Sequence, residues 1–241
     1  MSMLRSIVFL VGGLLSTSVY GILVPLGGLF GWRAGCAVAQ NYATVMLKWI
    51  EWSLAITCQV EGWDNIPDYP VVAMAKHQSA WEMLFMESRF PPQCWIIKKE
   101  LLWLPFVGWG LYAIRCIAID RSSGHSARDQ IVEQGQRRLS HGMWVSIFPE
   151  GTRIAPGKVG RYGIGGALLA TRTGTPILPV AHDAGEYWPR YAIRKRPGRV
   201  KVVIGAPIAT AGRDPISVNT EVQAWIEGQL RRISPHRYEN G

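Results

Sequence analysis

The chain has 241 residues, a formal net charge of +9 at pH 7, 48% hydrophobic residues, eleven tryptophans and a mean hydropathy of +0.08. That length fits one sizeable domain plus an appendage. No long Lys/Arg run and no RNA-binding motif accompanies the positive charge, which argues against nucleic acid and for an anionic membrane surface and phosphate-bearing substrates.

The first segment is apolar. From Ser6 to Gly31 there is no charged residue, and Arg5 and Arg33 flank the run. It is long enough to cross a hydrocarbon core. A signal peptide is the rival reading, since small residues follow at Ser16 to Ser18, but the apolar run continues far past them. The glycines and Pro25 predict a bend. A second stretch, Cys36 to Val60, carries only Lys48 and Glu51, with Tyr42, Trp49 and Trp52 suited to a membrane interface. If the first helix spans and the second lies in the membrane or returns, Arg5 and the remainder of the chain share one side. The positive residues place that side in the cytoplasm.

Glu61 to Asp68 is polar and turn-rich, with Gly62, Asn65 and Pro67, and divides residues 1–60, membrane-anchoring helices, from a domain over residues 61–241. Pro70 to Ala75 reads as a short buried strand. Trp81 to Arg89 reads as a helix broken by Pro91-Pro92, and Cys94 to Ile97 as a strand with Lys98 and Lys99 at its carboxyl end. Leu101 to Tyr112 is an apolar, aromatic connector or membrane-facing rim. Arg115 to Asp120 is a strand followed by Arg121, and Ser122 to Gly142 an amphipathic helix with His125 and His141 near its ends, read as surface residues. Trp144 to Phe148 is another buried strand. Gly157 to Gly166 is glycine-rich but lacks the spacing of a nucleotide fingerprint. A small-residue helix starts at Ala167, strands follow at Ile177 to Ala181 and Val200 to Ile204 around a basic stretch from Arg190 to Lys201, and Ile216 to Ile233 is a helix. Strands alternating with helices predict an α/β fold with a mixed, mostly parallel sheet flanked by helices, preceded by a membrane helix or helix pair. Cys36, Cys58, Cys94 and Cys116 form no C-x-x-C pair and no cluster with histidine, so they read as buried, reduced thiols in a cytosolic setting, and no metal site is expected.

Two strand ends carry the chemistry-bearing residues. The first is Lys76-His77-Gln78-Ser79-Ala80-Trp81-Glu82. A histidine that takes a proton at neutral pH works best when a carboxylate orients its ring. Mid-helix, the His77–Glu82 spacing would leave the two side chains roughly 140° apart. They can meet if His77 lies in a strand-to-helix turn and Glu82 in the first or second helical turn, with Ser79 as the N-cap. Taken alone, a histidine near an acid is more often structural. The second strand end is Phe148-Pro149-Glu150-Gly151-Thr152-Arg153, where proline stops the strand, Gly151 permits a sharp turn, and Arg153 offers a planar fork for phosphate or carboxylate. Its plain alternative is a turn with a surface salt bridge.

Together these stretches resemble the glycerolipid acyltransferase family, the PlsC-type lysophosphatidic acid acyltransferases. The family's N-H-x-S-x-x-D block reads KHQSAWE here, and the FPEGTR block at 148–153 is intact. Ile117-Ala118-Ile119-Asp120-Arg121, Pro176-Ile177-Leu178-Pro179-Val180, and the Lys98 to Gly108 segment also match, in the family's order, over roughly residues 60 to 210. One departure is glutamate at Glu82 in place of the usual aspartate, which keeps the charge and adds a methylene.

The resemblance implies transfer of a fatty acyl group from a thioester, on acyl-CoA or acyl carrier protein, to the free hydroxyl of a lysophospholipid acceptor at a membrane, with no cofactor. His77 would be the base and Glu82 its orienting carboxylate. Glu150, Gly151 and Thr152 would form the substrate-binding turn, Arg153 would hold the acceptor phosphate, and Arg121, Lys98 and Lys99 would support it. The location implied is the cell inner membrane with the catalytic domain facing the cytoplasm. Other acceptors, such as a lyso-ornithine lipid, and a silent lipid-binding module are the alternatives.

Overall fold

The computed structural model describes residues 3–120, 125–192 and 194–238. Two long helices lead, α1 (Met3–Leu29) and α2 (Trp32–Leu54), followed by β1 (Ile56–Glu61), β2 (Val72–Ala75), α3 (Trp81–Arg89), β3 (Gln93–Lys98), α4 (Val107–Ala113), β4 (Ile117–Ile119), α5 (His125–Ser140), β5 (Trp144–Ile147), α6 (Gly165–Thr173), β6 (Ile177–His182), β7 (Gly198–Ile204) and α7 (Pro215–Ile233). The strands form one seven-stranded sheet in the order β1-β7-β6-β2-β5-β3-β4. Every pairing is parallel except β6 with β7. This is the mixed, mostly parallel α/β sheet the alternation of elements predicts.

The central strands are apolar without alternation because helices cover both faces. All four residues of β2 and of β5 are buried. Parallel pairing then brings the carboxyl ends of β2, β3, β5 and β6 to one edge, where ligands of open α/β sheets bind.

The second apolar stretch divides. Helix α2 ends at Leu54, Ala55 takes a left-handed conformation (φ 52°) and donates its N–H to Glu51 O, and β1 starts at once beside β7. Residues 56–61 thus belong to the sheet although they precede the turn-rich segment. Cys58 sits on this edge strand and is exposed, and Cys116 is only half-buried, so the expectation of four buried thiols holds fully for Cys36 and Cys94 alone. β1 is an edge strand, and after the buried Ile56 its residues are all half-buried or exposed.

Arg5–Leu29 is long and apolar enough to cross a membrane by length and composition, with a mean hydropathy of 2.2. One side of α1 packs on the rest of the chain over most of its length. Phe9 meets Trp188 edge-on at 5.1 Å, and Gly21 meets Phe106 so closely that a Cβ there would lie 2.4 Å from the Phe106 Cβ. The other side leaves Leu14, Leu15, Val19 and Leu29 exposed.

Beneath α1 and α2 lies an apolar cavity of about 180 Å³ whose wall includes Val24, Ala43, Leu84, Trp95, Leu111 and one acid, Glu87. Glu87 Oε2 accepts from the Trp95 indole N–H at 2.8 Å, and Oε1 has no hydrogen-bond partner. Burial pushes this carboxyl up to about 7, against the opposing pull of the indole. A carboxyl raised above its ordinary value of 4.5 favours the folded state while protonated, and that contribution is lost as pH rises through about 7. The gap corresponds to about 3 kcal/mol. Glu87→Gln should therefore gain melting temperature relative to the unmodified protein between pH 5 and pH 8.5, and a difference equal at both pH values would remove Glu87 as its source.

Candidate active site

His77 follows β2 in an extended turn, and Glu82 is the second residue of α3. The short turn brings them together across five positions, which a continuous helix could not do. His77 Nδ1 lies 2.9 Å from Glu82 Oε1. The same oxygen accepts the backbone N–H of Gln78 at 2.9 Å and of Ser79 at 2.7 Å. The N-cap of α3 is Ala80 and not Ser79 as expected; Ser79 stands one position earlier in the turn, where its hydroxyl accepts the Trp81 N–H at 3.2 Å.

Glu82 is 1% exposed. Burial works against its charge, but the hydrogen bond with His77 and the Ser79 N–H outweigh it and hold the carboxyl below its ordinary value. Its place in the first turn of α3 adds the favourable end of the helix dipole. An ionised Glu82 fixes the proton of His77 on Nδ1 and leaves Nε2 with its lone pair. The ring stacks on Phe148 at 4.0 Å and 9°, and Phe148 stacks in turn on Trp95 at 5.3 Å. With its side chain 15% exposed, His77 is reachable but held on one face and one edge.

The 148–153 segment leaves β5 in a tight turn. Gly151 has φ 65°, which favours glycine, and its N–H donates to Phe148 O at 3.0 Å. The turn is joined to the histidine turn by the Ile154 N–H, which donates to His77 O at 2.7 Å. Glu150 points inward: its side chain is fully buried and lies 3.1 Å from Lys76 Nζ. Burial pushes its carboxyl up to about 7 against the pull of Lys76. Thr152 is exposed and Arg153 half-buried. Glu150 does not pair with Arg153, so the plain alternative of an internal salt bridge is not realised. Among the described residues the Arg153 guanidinium makes no ion pair or hydrogen bond.

The basic supports are dispersed. Lys98 is exposed at the end of β3, and Lys99 pairs with Asp120 at the end of β4. Arg121 lies outside the described residues. Sequence reasoning assigned no role to His182, Lys76, Glu227 or the ring of Phe148. His182 ends β6, wholly buried; its Nδ1 accepts the Ala184 N–H at 3.3 Å and its Nε2 donates to Lys76 O at 2.7 Å. Burial lowers its pKa, so it is a neutral support with both nitrogens occupied. Its position at a strand end was the one signal available. Among the described residues no three His, Cys, Asp or Glu side chains cluster as a metal site.

The arrangement is that of a histidine held by a carboxylate beside a turn whose arginine guanidinium has no partner among the described residues. Residues 57–183 match the family model described as "Acyltransferase". The chain is 41% identical over 201 residues to a 1-acyl-sn-glycerol-3-phosphate acyltransferase of Pseudomonas aeruginosa, covering 82% of this chain and 78% of that protein. This chain belongs to the acyltransferase family. The mouse 1-acyl-sn-glycerol-3-phosphate acyltransferase alpha is 31% identical over 180 residues, 72% of this chain and 62% of its own length. The crystal structure of a 1-acyl-sn-glycerophosphate acyltransferase, PlsC, from Thermotoga maritima superposes with a TM-score of 0.80 over 95% of both chains at 21% identity, which establishes the shared fold.

In this acyltransferase, Glu82→Gln should keep the shape of the turn but remove the charge that fixes the His77 tautomer. We expect turnover to fall on the order of a hundred-fold or more, and Glu82→Asp to retain part of the activity. Equal turnover for Glu82→Gln and the unmodified enzyme would show that the carboxylate charge is not used.

Proposed function

We propose that the protein is a 1-acyl-sn-glycerol-3-phosphate acyltransferase that moves a fatty acyl group from a thioester, on coenzyme A or acyl carrier protein, to the free sn-2 hydroxyl of lysophosphatidic acid, giving phosphatidic acid. The observation that carries this reading is the His77–Glu82 pair at 2.9 Å, joined through Ile154 to the turn that bears Arg153. The activities named for the Pseudomonas and mouse relatives support the same reaction.

The acceptor hydroxyl oxygen attacks the thioester carbonyl carbon while His77 Nε2 takes its proton. Glu82 stabilises the resulting imidazolium. The tetrahedral intermediate collapses with cleavage of the carbon–sulfur bond, and the proton returns from His77 to the leaving thiolate. A thioester is already activated, so no covalent enzyme intermediate is needed. Arg153 holds the acceptor phosphate through two parallel hydrogen bonds, with Lys98 and Arg121 as further cations. The apolar cavity beneath α1 and α2 suits a hydrocarbon chain, since it is walled by aliphatic and aromatic side chains and reaches Trp95, which stacks on Phe148.

The enzyme works at the cytoplasmic face of the inner membrane. Its exposed apolar surface supports this: the free side of α1 continues into Phe30, 87% exposed, and on neighbouring elements Trp103 is 84% and Tyr112 78% exposed. Aromatic residues of this kind suit the boundary between lipid and water. The formal charge of +9 favours anionic headgroups.

Purified protein in detergent, given acyl-CoA and lysophosphatidic acid, should release free thiol in step with phosphatidic acid. His77→Ala should lower the rate roughly a hundred- to ten-thousand-fold with the fold retained. No thiol release from the unmodified protein across a panel of lysophospholipids would overturn the reading. Arg153→Lys keeps a charge but loses the fork, so KM for lysophosphatidic acid should rise about ten-fold while that for acyl-CoA stays. Equal rises for both substrates would take Arg153 out of the phosphate site.

A further inference from the structure

Lys76 is a cation with no part in the chemistry above, yet it is wholly enclosed at the centre of the site. It is 0% exposed and among the largest fully buried side chains. Its ammonium lies 2.6 Å from Glu227 Oε1 on α7 and 3.1 Å from Glu150 Oε1 in the 148–153 turn, and donates to Lys158 O in the glycine-rich loop at 3.2 Å. The Tyr162 hydroxyl donates to the same Glu227 oxygen at 3.1 Å. The Lys76 backbone is held as firmly: its N–H donates to Val180 O at 3.1 Å, and its carbonyl accepts from His182.

Three segments therefore converge on the ammonium that the histidine turn carries: the arginine-bearing turn, the adjoining glycine-rich loop and the carboxyl-terminal helix. Packing alone does not account for a charge there, because removing a lysine from water is expensive and apolar residues of similar volume commonly pack as well. An ammonium between two carboxylates has a directional consequence that an apolar plug lacks. It draws Glu150 inward, and Glu150 lies three positions before Arg153.

We propose that Lys76 is a positioning residue whose ammonium fastens the Glu150–Arg153 turn to the His77 turn, with Glu227 of α7 completing the clamp. Helix α7 lies beyond residues 57–183, where the family model matches, and on this inference it is part of the catalytic unit. The inference rests on acyl transfer at His77, and its test includes a readout independent of that reaction.

The experiment compares the full-length protein in detergent with Lys76→Met and with the double variant Lys76→Met/Glu227→Gln. The readouts are melting temperature, amide hydrogen exchange over residues 148–158, and kcat and KM for each substrate. In Lys76→Met, exchange at Gly151 and Ile154 should speed up about ten-fold as the turn opens locally. Displacement of the turn should lower kcat by up to about a hundred-fold and raise KM for lysophosphatidic acid, with KM for acyl-CoA unchanged. The double variant removes the buried pair as a unit, so its melting temperature should return towards that of the unmodified protein. Its exchange should stay fast and its kcat low, because Glu150 still lacks its cation. Recovery of kcat together with melting temperature in the double variant would reduce Lys76 to a stabilising role and overturn the proposal. Unchanged exchange at Ile154 in both variants would do the same. Absence of thiol release from the unmodified protein would overturn the acyl-transfer reading, while the exchange data would still judge the clamp.

Discussion

One carboxylate oxygen organises the site. Glu82 Oε1 accepts from His77 Nδ1 and from two consecutive backbone N–H groups, those of Gln78 and Ser79. These donors lie in the turn itself, so the oxygen closes the turn and orients the ring in a single act. Because the group is buried, each of these bonds operates at low dielectric, where it is stronger than in water and where losing one would leave an uncompensated charge. The histidine cannot rotate away without abandoning the carboxylate, and the carboxylate cannot reorient without giving up the Gln78 and Ser79 N–H groups of the turn.

The rest of the sheet serves this turn. Parallel pairing of β2 with both β5 and β6 places the FPEGTR turn on one flank of His77 and the neutral His182 on the other. The flat face of the imidazole rests on Phe148, whose ring rests on Trp95, so a stack of three rings spans the carboxyl edge from β2 to β3. The Phe148 ring thereby covers one face of the imidazole. The half-buried arginine turn and the apolar cavity under α1 and α2 then bring a polar and an apolar surface near the same ring. A lipid acceptor and a fatty thioester need both.

The exposed apolar side of α1 follows from how the helix packs. Close approach at Gly21 lets α1 lie against the loop before α4, so one side of the helix is consumed by packing and the other is left apolar. With Trp103 and Tyr112 exposed on the same connector, the surface that would meet lipid lies next to the elements that wall the cavity. The proposed reaction thus draws its lipid substrate from the side where the protein itself is apolar.

Much of this was legible in the sequence, and the division has a physical cause. The apolar runs at β2 and β5, the helical spacing over α5 and α7, and the long uncharged segment of α1 are local patterns, read directly because period and composition depend on neighbours in the chain. The His77–Glu82 pairing was legible too, since the turn and the first residues of α3 are contiguous. The end of α2 was less so: Ala55 in a left-handed conformation ends the helix, and β1 exists because β7, more than a hundred residues later, supplies its hydrogen bonds. The exposure of Cys58 follows from that edge position. Nor could sequence reasoning show that Glu150 turns inward to Lys76 and leaves Arg153 uncommitted, or that Glu227 and His182 stand behind the site. Their partners are separated by 151 and 106 positions respectively from Lys76. Chain-local patterns determined most of the elements and the pairing of His77 with its carboxylate. Strand order, which decides what lies beside what at the carboxyl edge, belongs to tertiary packing, and only that packing decided which charges are buried together.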